Sequence, residues 1–179
     1  LTYGVWRCYN EDCVVFTGWD SGNVYKFNTT TKKLIWEKYV SGTLRGIVVD
    51  KEENIYVVDS NGRIIKLDRN GNIIKTISGI CGTPTGASID ACNNIWITCF
   101  DGNIILVDED LRIKNKFKIP GTHYQYSDFT GYLTHADIKI GFPEKKIETE
   151  EFKISFGIRN ITEIAEKAPK IVKYKTTIS

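Results

Sequence analysis

Histidine is scarce in this chain, with two in 179 residues, His123 and His135. Both fall in or after a linker rather than in the repeating part of the sequence, and a pair of loop histidines makes a poor acid–base or metal centre. A Gly-rich phosphate loop, a GxSxG elbow and an HExxH helix are all missing, so no nucleotide, serine-hydrolase or zinc-peptidase motif is present. Charge of one sign is missing too: 24 basic and 22 acidic residues are interspersed and leave a net charge of +2. That balance excludes the basic footprint of a nucleic-acid binder. No apolar run reaches the roughly 18 to 20 residues of a membrane-spanning helix, and no basic-plus-apolar secretory leader stands at the N-terminus. The chain starts at Leu1 rather than Met, which leaves open a removed leader or a longer parent protein. A CxxC pair is also lacking, although there are five cysteines, Cys8, Cys13, Cys81, Cys92 and Cys99. Disulfides fit them better than a zinc or redox site. The sequons at Asn28 and Asn160 agree with a glycosylated, exported protein.

What the chain has in abundance is repetition. Gly46-Ile47-Val48-Val49-Asp50, Asn54-Ile55-Tyr56-Val57-Val58-Asp59 and Asn61-Gly62-Arg63-Ile64-Ile65 recur as Gly86-Ala87-Ser88-Ile89-Asp90, Asn94-Ile95-Trp96-Ile97-Thr98-Cys99 and Asp101-Gly102-Asn103-Ile104-Ile105, every landmark 40 residues on. An upstream copy holds Val15-Phe16-Thr17 and Ser21-Gly22-Asn23-Val24-Tyr25. Each unit reads as four short runs rich in Val, Ile, Tyr and Trp, and no helical period occurs before about residue 160. In the middle unit, strands are expected near 45–50, 54–59, 63–68 and 72–77. Asn-Gly and Asp-Gly pairs join them, residues that adopt the positive φ of a tight hairpin at low cost. Four antiparallel strands in about 40 residues make a propeller blade, and three such units span residues 1–120.

The units resemble blades of the NHL and streptogramin-lyase-like β-propellers, in the form G-x-x-x-D … N-I-W/Y-V … D/N-G-x-I-x-x-x-D. The first unit, with Gly22-Asn23-Val24-Tyr25-Lys26-Phe27 and Lys33-Leu34-Ile35-Trp36-Glu37, is closer to the repeats of quinoprotein-like (PQQ-type) propellers. The resemblance implies an all-β fold. It brings neither a catalytic set nor a cofactor: no His/Glu/His magnesium cluster of a lyase is found, and no set of acidic calcium ligands with a stacking tryptophan. Trp19 and Trp36 are as well explained by packing.

On the blade scheme Phe16, Tyr56 and Trp96 share one place, six residues before the repeat glycine. Packing between blades is the leading role for such an aromatic, with ligand stacking as the alternative. Asp50 and Asp90 are expected to hold turns rather than metal. Cys8 and Cys13 flank a hairpin turn and should bridge it, and Cys81 and Cys99 should reach one face of the propeller. Cys92 is left over.

Beyond Pro120 the repeat is lost, so residues 121–179 are expected to form a linker and a mostly β extension with one short helix. Tyr126-Ser127-Asp128-Phe129-Thr130-Gly131 resembles the YSDMTG segment that follows such propellers in large bacterial and archaeal surface proteins. Residues 152–158 alternate as a strand does, Asn160 and Glu163 suit a helix start, Pro169 its end, and 171–178 a last strand. Since propellers usually close with about four to eight blades, closure would fall to the extension or to another chain. The expected function is a non-catalytic, exported binding or structural module, extracellular or at a cell surface. It would assemble with other protein chains, as a homo-oligomer or a larger surface assembly, through blade edges and its extension. A lyase- or quinoprotein-like enzyme completed by absent blades, and a glycan-binding propeller, are the alternatives.

Overall fold

The computed structural model describes residues 1–125. Over that span the chain is all-β, with twelve strands in three four-stranded antiparallel sheets. Blade 1 contains β1 (Thr2–Arg7), β2 (Cys13–Gly18), β3 (Asn23–Asn28) and β4 (Lys33–Tyr39). Blade 2 contains β5 (Leu44–Val49), β6 (Ile55–Asp59), β7 (Arg63–Leu67) and β8 (Ile73–Ile77). Blade 3 contains β9 (Pro84–Ile89), β10 (Ile95–Cys99), β11 (Asn103–Val107) and β12 (Ile113–Lys118). Each blade is a meander with its strands paired in chain order. The expected strands of the middle unit are found within a residue or so at each end. Residues 126–179 lie outside the described part, and with them the expected strands at 152–158 and 171–178, the short helix, Asn160 and His135.

The turns follow from carboxylates placed at strand ends. Asp50 Oδ1 accepts the backbone N–H groups of Glu52 and Asn54 at 2.9 and 2.8 Å. Asp90 repeats this with Cys92 and Asn94, Asp68 with Asn70 and Asn72, and Asp108 with Asp110 and Arg112. One side chain thereby satisfies two turn donors that no strand reaches. Asp50 and Asp90 are thus turn-formers in the structure. Glycine is needed in the β6–β7 hairpin, where Gly62 has φ of +76° and a Cβ would lie 2.5 Å from the carbonyl oxygen of Cys81.

The blades stack face to face. Blade 2 is covered on both sides: Tyr56, Val58 and Ile64 on one face and Ile55, Val57, Ile65 and Leu67 on the other are all buried. Close packing of the innermost strands depends on Gly46, because a Cβ there would lie 2.4 Å from the Ala87 nitrogen. Farther out, a lysine spans each junction. Lys26 Nζ lies 3.4 Å from the Arg69 carbonyl, and Lys66 Nζ lies 2.8 Å from that of Glu109. Leu106 stands at the third such position.

Register separates blade 1 from the other two. Tyr56 pairs with Lys66 and Trp96 with Leu106, but in blade 1 it is Val15, not Phe16, that pairs with Lys26. The loop from Gly18 to Gly22 carries one more residue than the Asp59–Gly62 turn, and a one-residue slip moves a side chain to the opposite face of a sheet. The expected equivalence of Phe16 with Tyr56 and Trp96 is therefore corrected: fully buried Val15 takes that place, and Phe16 points the other way.

Candidate binding surfaces

Three places bring functional side chains together. At one end of the innermost strands, Arg45 in β5 lies among aromatic rings from distant segments. Its guanidinium carbon is 4.3 Å from the Trp19 ring centroid, 5.6 Å from Tyr3 and 5.7 Å from Tyr124. Nε donates to Ser60 Oγ at 2.7 Å and Nη1 to the Tyr124 hydroxyl at 3.0 Å. Burial, with the neighbouring Tyr124, holds the Tyr3 phenol protonated well above the usual tyrosine range. These contacts pin the loops of blades 1 and 2 and the residues after β12 to one point, consistent with cation–π packing of a structural arginine. Beside it, Tyr3, Trp6, Ile47, Gly86 and Gln125 line a small cleft between the innermost strands. Nothing in the sequence pattern marked this cluster, because its members come from non-equivalent positions of different units.

The second place is the junction of blades 2 and 3. The Tyr56 ring is 0% exposed, and its hydroxyl lies 2.8 Å from Asp50 Oδ2 and 3.2 Å from the Glu109 carbonyl of the next blade. Burial, then the charge of Asp50, raises its pKa. A ring enclosed in this way is part of the packing and offers no surface on which a sugar or cofactor could stack. Trp96 makes the matching bond within its own blade, Nε1 to Asp90 Oδ2 at 2.9 Å. Burial pushes the Asp90 carboxyl up, but hydrogen bonds from Trp96 and Asn94 outweigh it, and the pKa is lowered overall.

The third place is the pair of outer sheet faces. On blade 1, Phe16 stacks on Tyr25 with centroids 4.9 Å apart. Val5 pairs with Phe16, and Val14 and Leu34 both pair with Phe27, which sets these side chains on one face. Val5 is 61% and Leu34 51% exposed. On blade 3, Trp96 stacks on Phe117 at 5.8 Å, beside half-buried Ile104 and Leu106. Whereas the inner strands β5, β6 and β7 of blade 2 are largely buried on both faces, these two faces carry apolar and aromatic side chains to the surface.

Cys8 is joined to Cys13, and Cys81 to Cys99. The first closes the β1–β2 hairpin and the second ties the entry of blade 3 to the end of β10. Two disulfides are consistent with an oxidising compartment. Cys92 is an exposed free thiol. Asp101 approaches the Cys81–Cys99 pair, but thiols held in a disulfide leave only a carboxylate to meet a cation. Asn28 is half-buried at the β3–β4 turn, where its Oδ1 accepts the Thr31 N–H at 2.6 Å. His123 lies beside the Pro120 carbonyl at 3.1 Å.

A family model described as PQQ_2, outer membrane protein assembly factor BamB, matches residues 2–75. No curated protein matches the chain. Among solved structures, the chain is similar to the hydrazine synthase of Kuenenia stuttgartiensis, with a TM-score of 0.62 and 14% identity over 68% of this chain and 36% of that one. The WD40 repeats of RRP9 give a TM-score of 0.62 at 8% identity, over 68% of this chain and 39% of that one. The structure of U3-55K gives 0.60 at 8% identity, over 66% of this chain and 39% of that one. The chain thus spans less than half the length of the structures it matches. Identities this low bear on fold alone: the twelve strands form blades of β-propeller type, and their first two carry a PQQ-type sequence pattern.

Proposed function

We propose that this chain is a non-catalytic, exported binding module that associates with a second copy of itself across the outer face of blade 1. The observation that carries the reading is the apolar face built from Val5, Val14, Phe16, Tyr25 and Leu34 on a sheet whose other face is packed on blade 2. Half-buried aromatic and exposed aliphatic side chains on one sheet face favour association with a like surface, and an isologous pairing needs only one such patch. The two disulfides support an extracellular setting, and the matched family model is described as that of an assembly factor. Phe16→Glu tests the reading, since it sets a charge at the centre of the face and leaves the junction with blade 2 untouched. Sedimentation should show the variant failing to associate while its thermal midpoint stays near that of the wild type. A variant that associates as the wild type does would sink the reading.

A further inference from the structure

Cys81, Cys99 and Asp101 meet where blade 3 repeats a contact of blade 2 with different chemistry. Forty residues earlier the same places hold Ser41, Asp59 and Asn61. Ser41 Oγ donates to Asp59 Oδ2 at 2.6 Å, and Arg63 sets its guanidinium on the pair, with Nε 2.7 Å from Asp59 Oδ2 and Nη2 donating to Ser41 Oγ. No covalent bond joins Ser41 to Asp59; the blade holds them together. Asp59 pairs with Leu44, and the Ser60 N–H donates to the Thr43 carbonyl at 3.0 Å. In blade 3 Cys99 pairs with Pro84, and the Phe100 N–H donates to the Thr83 carbonyl at 2.8 Å. The backbone thus brings Cys81 and Cys99 together whether or not their sulfurs are bonded, with Cα atoms 6.3 Å apart. Two substitutions alter the charge of the place. Asn103 stands where blade 2 has the cationic Arg63, and Asp101 stands where it has the neutral Asn61. An Asp101 carboxylate oxygen and the two sulfurs all lie within 4.8 Å of one another. That carboxylate accepts the Gly82 N–H at 3.2 Å, the Asn103 N–H at 3.1 Å and Asn103 Nδ2 at 2.8 Å, the kind of support that orients a metal-ligating carboxylate. Lys118 Nζ donates to the backbone carbonyl of Asp101, not to its carboxylate.

We infer that Cys81 and Cys99 in their reduced form, together with Asp101, bind a divalent cation of the zinc type in the place that Arg63 fills in blade 2. Sulfur at about 2.3 Å and oxygen at about 2.1 Å from zinc put tetrahedral ligand atoms roughly 3.6–3.8 Å apart. The side chains reach that spacing by rotation once the bond between the sulfurs is open, and exposed Asp101 leaves the fourth position to water. A dithiol opens the site. One of its sulfurs attacks the disulfide and the other displaces the first, so the dithiol is oxidised by two electrons to its own disulfide and both cysteines become thiols. The cation then replaces their two protons, which are released. Disulfide and metal therefore exclude one another here. Cys8 and Cys13 form no such site, because Glu11, 3.7 Å from Cys13 Sγ, is already held by Lys26 and Arg69. The inference is independent of what the outer face of blade 1 meets.

The test uses the full chain carrying Cys92→Ser, reduced with a phosphine and titrated with cobalt(II), a coloured stand-in for zinc. One equivalent should give thiolate-to-metal charge-transfer absorption with the visible bands of tetrahedral cobalt, and zinc should displace it. Asp101→Asn should weaken binding by roughly tenfold or more. Cys8→Ser with Cys13→Ser should leave it unchanged, Cys99→Ser should abolish it, and the oxidised chain should show none. Binding should also raise the thermal midpoint of the reduced chain, whereas binding to unfolded thiols would lower it. Absence of the charge-transfer band, equal affinity in Asp101→Asn, or a reduced chain without the circular dichroism of β-structure would each overturn the inference.

Discussion

At the scale of single residues, stability concentrates where one blade meets the next. Gly46 is held by contact rather than by conformation: an added Cβ would lie so near the Ala87 nitrogen that any side chain must push two innermost strands apart. Overpacking of a closed junction typically costs about 1–3 kcal/mol. Gly46→Ala should therefore lower the unfolding free energy from chemical denaturation by that amount, whereas Gly42→Ala, whose Cβ position has only Asn61 Nδ2 at 4.0 Å beside it, should cost less. Tyr56→Phe isolates a polar contribution. It keeps the ring and removes the hydroxyl that contacts Asp50 and the Glu109 carbonyl, leaving a buried carboxylate oxygen with one partner fewer. A loss of about 1–3 kcal/mol is expected, measured by equilibrium urea unfolding.

Between elements, the junction of blades 1 and 2 is held partly by charge. Lys26 is 3% exposed and lies 2.8 Å from Glu11, which also pairs with Arg69 of blade 2. The hydrogen bond from Lys26, then that from Arg69, holds the Glu11 carboxyl below the usual carboxylate range. A depressed folded-state pKa means that this stabilisation is fully present above the ordinary glutamate pKa and is lost as pH falls through the lowered value. Wild type should thus lose stability between neutral pH and strong acid more steeply than Glu11→Gln. The variant should be less stable at pH 7 by about 2 kcal/mol, because removing one partner of a mostly buried pair strands the other, here with some relief from solvent. Circular-dichroism melts of both proteins across that pH range provide the check. None of this was legible in the sequence, since the partners come from a turn of one blade, a strand of the same blade and a turn of the next. The strands were legible, because a two-residue alternation and Asx-Gly turns are local signals. Phe16 shows the limit of such signals. A fixed spacing from the repeat glycine placed it beside Tyr56 and Trp96, but one added loop residue puts it on the opposite face.

For the molecule as a whole, the repeat explains the architecture, and the breaks in the repeat explain what the chain is suited to meet. The cysteine pairs could be placed from sequence because each spans a single hairpin or a blade entry, where separation in the chain and in space run together. The Arg45 cluster could not, since it gathers rings from blade 1, blade 2 and the residues after β12. Blade 2 is largely buried on both faces of its inner strands, blade 3 meets Gln125 at Ser88 and Thr98, and blade 1 presents its stacked Phe16 and Tyr25 outward. An apolar sheet face left in water is an association surface, and the proposed pairing across the outer face of blade 1 would join two copies of the chain. Sedimentation equilibrium of the wild-type chain at micromolar concentrations, with both disulfides intact, tests this most directly. The account predicts a reversible species of twice the chain mass that Phe16→Glu reduces to one; a wild-type chain that stays at single-chain mass throughout would contradict it.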